Sequence, residues 1–150
     1  MAEWRLKKFE ELTPYELYAI IRLRNEVFVV EQNCVFQDAD NMDPGCWHFM
    51  GFVGNDLAAY TRLVTPGYIY DEISIGRVVS SPAYRRTGIV KELMQGSIEK
   101  CYELFGKLPI KIGAQFYLKK FYSSFGFEQV SEIYLEDGIE HIYMILHSPS

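Results

Sequence analysis

This 150-residue chain has few cysteines, few prolines and no long apolar run. Its three cysteines, Cys34, Cys46 and Cys101, are an odd number and form no C-x-x-C pair. That excludes a disulfide framework. Cys34, Cys46 and His48 suggest no metal site, because a fourth ligand is missing and the spacing matches no common zinc pattern. No recognisable Cys/His/Asn arrangement supports a cysteine nucleophile. The chain contains no G-x-x-x-x-G-K-[ST], which disfavours a P-loop nucleotide enzyme. No stretch reaches roughly 18 apolar residues, and M-A-E-W-R-L-K-K-F at the start has no apolar signal core. A cytoplasmic protein without a membrane partner is expected. Basic residues are also in the minority, 15 against 20 acidic, for a formal charge of −5. Nucleic acid is therefore an unexpected partner. The balance is compatible with cationic substrates such as amines without selecting them.

What is present points to one folded unit over residues 1–150. A chain of this size buries roughly 68–70% of its unfolded surface without staples. The aromatic share is high at 15%, with eleven Tyr and ten Phe, residue types that suit both cores and ligand pockets. No repeat, low-complexity segment or linker interrupts the chain.

Patterning predicts the elements. Residues 3–9 alternate as a strand. Thr13-Pro14-Tyr15-Glu16 carries an N-cap, a proline at N1 and an acid at N3, so a helix is predicted from Pro14 to about Val27. Phe28 to Gln32 follows, and Gln37 to Gly45 reads as a polar loop. Trp47–Val53 and Leu57–Val64 read as strands joined by a Gly54-Asn55-Asp56 turn. Ile73–Ser80 is a further strand. The strongest helix spans Thr87 to about Phe105 and stops at Gly106. Residues 109–114 form a short buried strand and residues 117–125 a short helix. Residues 127–134 and 140–146 are strands paired through Glu136-Asp137-Gly138, a strong hairpin signal. The order β-α-β-β-β-α-β-α-β-β implies one mixed α/β sheet with helices on its faces.

The most informative stretch is Ile75 to Met94, I-G-R-V-V-S-S-P-A-Y-R-R-T-G-I-V-K-E-L-M. A strand passes through a basic, glycine-bearing loop into a helix. A helix start offers unpaired N–H groups and partial positive charge, a ready phosphate or pyrophosphate site. The stretch resembles the acyl-CoA-binding segment of the GNAT acetyltransferases, with Arg85 and Gly88 at two fixed positions and Val90 departing from the third. A second segment, A-Q-F-Y-L-K-K-F-Y-S-S-F-G-F from Ala114 to Phe127, resembles the end of the same family's pattern. Tyr122, Gly126 and Phe127 stand at its offsets, and Gln115 stands where Asn is usual. R-N-E-V-F-V-V-E-Q-N-C-V-F-Q from Arg24, with His48, Gly76-Arg77-Val78, Gly113-Ala114-Gln115 and Glu136-Asp137-Gly138-Ile139, resembles the ElaA-type branch. This likeness spans nearly the whole chain.

The resemblance implies the GNAT acyl-CoA N-acyltransferase fold, an α+β sheet of about seven strands. It implies acetyl-CoA as donor and an amine acceptor that is poorly defined for this branch. The strand at Val78, Val79 and Ser80 is expected to splay from the one at residues 110–112 and to pair with the pantetheine arm. The N–H groups of Arg86, Thr87, Gly88, Ile89, Val90 and Lys91 are expected to cradle the pyrophosphate, with charge from Arg85, Arg86 and Lys91. Gln115 joins this set. Val90 either crowds the phosphate turn or faces the sheet.

Tyr122 is the expected general acid: a phenol near pKa 10 protonates or hydrogen-bonds a thiolate whose thiol lies near 8.5. The bland alternative is a tyrosine that packs its helix on the sheet. An alkylamine of pKa about 10.4 needs a base or a water wire before it attacks. Glu31 is the first candidate, His48 and Glu72 the next. His141 is placed on the acceptor side. Arg24, Arg62 and Arg77 sit among apolar neighbours, where arginines are rarely unpaired. They pair with Glu31 or Asp71, or bind a substrate carboxylate; Arg24, His48, Arg77 and His141 are the expected substrate-binding residues. A CoA- or ligand-binding module without catalysis is the competing expectation. A homodimer through the exposed edge near the last strands is compatible with the sequence.

Overall fold

The computed structural model describes residues 2–149. An eight-stranded mixed sheet carries helices on both faces. The strands are β1 (Glu3–Lys8), β2 (Trp47–Val53), β3 (Asp56–Val64), β4 (Ile73–Ser80), β5 (Ile110–Gln115), β6 (Glu128–Gln129), β7 (Tyr134–Glu136) and β8 (Ile139–Leu146). The helices are α1 (Pro14–Arg24), α2 (Ile89–Phe105) and α3 (Lys119–Ser123). The sheet order is β1-β2-β3-β4-β5-β8-β6, with β7 also paired to β8. Neighbours are antiparallel except β4 and β5, whose parallel pairing follows from the α2 crossover between them.

Each helix face explains its place. In α2, Ile89, Leu93, Met94, Ser97 and Cys101 are buried against the sheet with Phe49, Leu63, Ile75 and Ile112. Gly96 lets the helix come close, since a Cβ there would meet the Phe49 ring at 2.9 Å. The Ser97 hydroxyl is satisfied by Thr61 (2.7 Å) and the Leu93 carbonyl (2.7 Å). On the opposite face α1 buries Ile20 and Leu23 against Met50, Phe52, Tyr60 and Val79. The predicted capping box starts α1: Glu16 N–H donates to Thr13 Oγ1 (3.1 Å) and Thr13 N–H to Glu16 Oε1 (2.8 Å).

Three stretches depart from the patterning. The first helix does not end near Val27. From Asn25 to Glu31 it widens into a π-helix, with Gln32 N–H donating to the Val27 carbonyl (3.1 Å) and Cys34 N–H to Val29 (3.0 Å). The predicted 127–134 strand is broken into β6 and β7, because the Ser131 hydroxyl takes the Tyr143 N–H (2.9 Å) where a ladder carbonyl would stand. The 117–125 helix is a 3₁₀ turn (Phe116–Leu118) followed by the five residues of α3.

The loop at 37–45 is polar as expected, yet it is fastened to the sheet by a buried ionic cluster. Arg24 is wholly buried; its Nε reaches Asp38 Oδ2 (2.8 Å) and its Nη1 reaches Asp43 Oδ1 (2.8 Å). Arg62 on β3 holds Asp40 (2.9 Å) and Asp43 (2.9 Å). Arg77 on β4 holds Asp38 (2.9 Å) and Asp40 (3.3 Å). Three cations thus meet three loop carboxylates. None of the three arginines pairs with Glu31 or Asp71.

The cluster sets an acid limit. Burial opposes the charged form of Asp40, but Arg62 overrides it and holds the carboxyl at about 2 against an ordinary 3.8. Asp43 is lowered in the same way by Arg24 and Arg62. A depressed folded pKa contributes stability above the unfolded value and loses it as pH falls through the folded one. Stability is therefore expected to fall between about pH 4 and pH 2, and the Asp40→Asn variant to show a shallower fall in urea titrations across that window. Asp43→Asn strands Arg24 and Arg62 with one carboxylate fewer. It is expected to cost about 3–5 kcal/mol at pH 7, read as a lower urea midpoint.

Candidate active site

β4 and β5 pair only at Ile73↔Ile110 and Ser74↔Lys111. Beyond that the two strands part, while β5 stays paired with β8 through Gln115. The cause of the parting lies in β4. Arg62 opposes Gly76 and Tyr60 opposes Val79, so Arg77 and Val78 together face Thr61 as a bulge, with Arg77 at φ +49°. A bulge bends its strand and leaves one residue out of the ladder. The gap opens into a cavity of about 720 Å³.

The walls come from five places. β4 supplies Gly76 to Ser80, and β5 supplies Ile112, Gly113 and Gln115. The segment around α3 supplies Tyr117, Leu118, Phe121 and Tyr122. The π-helix turns Val27, Phe28, Glu31 and Gln32 to one side through its i→i+5 spacing, and all four line the cavity. The β7–β8 hairpin closes the far end with Glu136, Asp137, Ile139 and His141. The π-helical wall is tied across the gap three times. Arg85 grips Glu31 in a bidentate pair (2.7 and 2.6 Å), Gln115 donates to Gln32 (3.3 Å), and the Cys34 thiol donates to the Asp137 carbonyl (3.5 Å).

Most of the sequence-predicted residues meet here. Val78, Val79, Ser80, Arg85, Val90 and Gln115 line the cavity, as do Arg77, Glu31, Tyr122 and His141. Arg86, Thr87, Gly88 and Lys91 are exposed in the loop and first turn of α2, and Ile89 is buried beneath them. The helical ladder begins with Glu92 N–H donating to Gly88 (3.2 Å), so the N–H groups of Ile89, Val90 and Lys91 precede it. Gly88 sits at φ +84° with nothing within 4 Å of where a Cβ would stand. The helix start is therefore open for an anion to approach closely. Val90 packs against the core beside the cavity and does not fill this space.

Tyr122 is 5% exposed, and its hydroxyl makes no hydrogen bond to another described residue. Burial, then the neighbouring Tyr117, pushes the phenol well above its usual range. It stays protonated at any physiological pH. The hydroxyl is an unspent donor at the cavity wall.

Four expectations need correction. Arg24 does not reach the cavity; it is buried in the ionic cluster. His48 is 1% exposed, with Nδ1 against the Tyr60 hydroxyl (2.6 Å) and Nε2 against the Asp43 carbonyl (3.0 Å). Burial lowers its pKa, and both nitrogens are occupied, so it braces the loop. Glu31 is in the cavity, but the Arg85 hydrogen bonds lower its carboxyl below the usual 4.5, which makes it a weak proton acceptor. Arg77 lines the cavity with its guanidinium committed to Asp38 and Asp40, so it is not a free carboxylate clamp.

Patterning missed Phe28, Gln32, Cys34, Phe36, Tyr117 and Glu136. The π-helix has no periodic signature over seven residues. The sequence traces of this wall were the high aromatic content and the segments from Arg24 to Gln37 and from Glu136 to Ile139 that carry the family resemblance, neither of which assigned these residues a role. A cluster of tyrosines extends it: Tyr134 stacks on Tyr143 (4.7 Å) and on His141 (5.8 Å), and Lys111 Nζ lies over Tyr143 (4.6 Å) and Tyr70 (5.0 Å). Among the described residues no group of three or more His, Cys, Asp or Glu is disposed to hold a metal.

Comparison with known proteins supplies the wider context. Residues 52–148 match a family model described as an acetyltransferase (GNAT) domain. The chain is similar to Protein ElaA of Escherichia coli, with 41% identity over 96% of this chain and 95% of that protein. Its fold matches the solved structure of an acyl-CoA N-acyltransferase from Pseudomonas aeruginosa (TM-score 0.93, 40% identity, 97% and 99% of the two chains). A Bacillus subtilis acetyltransferase solved in complex with CoA shares the fold at 20% identity (TM-score 0.64, 98% and 99% covered).

The Glu31–Arg85 pair spans the mouth of the cavity but is exposed, and exposed pairs contribute at most about 1 kcal/mol. Glu31→Gln is expected to move the melting temperature by less than about 4 °C in a thermal scan.

Proposed function

Because the chain belongs to the GNAT acetyltransferase family, alongside ElaA, we propose that it is an acetyl-CoA-dependent N-acetyltransferase. It transfers the acetyl group to a primary amine of a small molecule or a protein, by direct attack with both substrates bound. The observation that carries this reading is the splayed gap between β4 and β5. It runs from the open N-terminus of α2 to the unspent hydroxyl of Tyr122.

The residues fit an acyl-CoA in three ways. Past Ser74, β4 has no partner on its β5 side, so its main-chain groups are available to an extended amide such as pantetheine. The side chains there need little identity, which accounts for Ser80. The N–H groups at the start of α2 and the open approach at Gly88 suit a pyrophosphate, with Arg86 and Lys91 adding charge. The bulge leaves one residue of the Arg77–Val78 pair out of the β3 ladder, and on this reading its N–H polarises the acyl carbonyl in the gap.

Tyr122 serves the departing sulfur. A phenol raised above its ordinary 10 is a poorer acid toward a thiolate whose parent thiol lies near 8.5. Tyr122 therefore keeps its proton and donates a hydrogen bond as charge develops on sulfur. Such a donor, aimed at charge that forms only in the transition state, acts on kcat.

Thermal unfolding with acetyl-CoA tests the donor site. At 100 times Kd a ligand stabilises by about 2.7 kcal/mol, a rise of several degrees. No shift at millimolar acetyl-CoA would overturn the reading. Tyr122→Phe is expected to keep the shift while lowering kcat about 10- to 100-fold. Unchanged turnover would remove Tyr122 from the chemistry.

A further inference from the structure

We infer that His141 is the general base that deprotonates the acceptor, and that the acceptor arrives at the β7–β8 hairpin as a primary alkylammonium. The inference rests on the acyl-transfer reading above and deepens it.

The ring's own contacts set its tautomer. His141 Nδ1 lies 2.8 Å from the Ile139 carbonyl oxygen. A carbonyl only accepts, so Nδ1 carries the hydrogen, and in the neutral ring the lone pair is on Nε2. Nε2 makes no hydrogen bond to another described residue. Its nearest charged neighbour is Glu136 Oε2 at 3.7 Å, beyond hydrogen-bond reach. The ring is fixed by its place on β8 opposite Gln115 and by stacking on Tyr134. His141 lines the same cavity as Tyr122. A carbonyl-held imidazole with a bare Nε2 beside a carboxylate is the arrangement a base needs.

The other candidates lack it. Glu31 is spent on Arg85, and His48 has both nitrogens engaged outside the cavity. Glu72 is not among the cavity-lining residues.

The surroundings say what the base acts on. The charged and titratable groups that share this end are Glu136 and Asp137 from the hairpin, Tyr134 from β7, Cys34 beyond the π-helix, Arg77 from β4 and Tyr122 from the α3 segment. Arg77 is already neutralised by Asp38 and Asp40. Apart from Lys111, whose ammonium lies over the Tyr143 and Tyr70 rings, the remaining charges at this end are acidic and the wall is aromatic, which favours a cation. An alkylammonium of pKa about 10.4 is the form that requires a base.

The protons balance. Nε2 takes one proton from the ammonium, and the freed nitrogen lone pair forms the N–C bond to the acyl carbon. The C–S bond breaks and its electron pair leaves on sulfur, which Tyr122 hydrogen-bonds. The second nitrogen proton goes to that sulfur through solvent, and His141 returns its own proton to water. The net products are the amide, the free thiol and one proton.

The test follows thiol release from acetyl-CoA with 1,5-diaminopentane and phenethylamine from pH 6 to 10, for the wild type and His141→Asn. Asparagine keeps a donor for the Ile139 carbonyl and lacks the base, so a purely structural role survives it. The wild-type kcat/KM is expected to vary less steeply with pH than that of the variant. The variant should be at least 100-fold slower at pH 7 and rise about tenfold per pH unit toward the wild type near pH 10. Its acetyl-CoA-induced thermal shift should be intact. A variant profile parallel to the wild type overturns the proposal, and so does an equal loss at every pH. If acetyl-CoA binds the wild type but neither amine releases thiol, the acyl-transfer reading falls and the base falls with it. Glu136→Gln gives a second readout, since it removes one of the two hairpin carboxylates on the cavity wall: a several-fold higher KM for the amines at pH 7 supports an alkylammonium acceptor, and unchanged kinetics count against it.

Discussion

The fold of the active half depends on three arginines, Arg24, Arg62 and Arg77, meeting Asp38, Asp40 and Asp43 beneath one loop. Each arginine comes from a different element: α1, β3 and β4. The aspartates come from a single segment of six residues. The cluster therefore converts a polar loop, which has little apolar surface to bury, into a fixed part of the core. Buried ion pairs are a poor source of net stability, because desolvation offsets most of the attraction. Their contribution here is geometric. They hold the end of α1 and the bulged part of β4 at one place, and both the π-helical wall and the splayed gap start from there.

From that anchor the cavity divides into two halves of different character, which the proposed reading assigns to donor and acceptor. The donor half is mostly main chain: a strand with one side unpaired, the start of α2 and an open glycine turn. The acceptor half is mostly side chain: a carbonyl-held histidine, two hairpin carboxylates and stacked tyrosines. Main chain recognises an extended amide with little regard for sequence. Side chains set which nucleophile is accepted. The second half is accordingly where relatives on this scaffold are free to differ in substrate.

Much of this was legible in the sequence, for physical reasons that can be named. The capping box at Thr13, the amphipathic face of α2 and the Asp-Gly hairpin are local signals, and each stands where it was read. The R-R-T-G loop and Tyr122 were found because a helix start and a fixed-offset tyrosine are also local patterns. The partners of the arginines were not legible. Charge pairing across 14 to 39 residues leaves no periodicity, so Arg24 and His48 looked like site residues when they brace the loop. Glu31 was read as a candidate base or as a partner of Arg24, Arg62 or Arg77 because its actual partner, Arg85, lies 54 positions away. His141 was expected on the acceptor side and lines the cavity, but its tautomer is set by a carbonyl contact that only the folded hairpin makes.

The π-helix between Asn25 and Glu31 carries a further consequence. A wide turn holds one more residue than an α-turn, so the wall is built from a surplus of chain as much as from particular side chains. An α-helix advances about 100° per residue at 3.6 residues per turn. Removing a single residue here would restore i→i+4 bonding and swing Glu31, Gln32 and Cys34 about a quarter-turn off the rim. The aspartates that follow would be carried out of register with their arginines. This stretch is thus tolerant of exchange and intolerant of shortening, and its length is as much a part of the site as any residue in it.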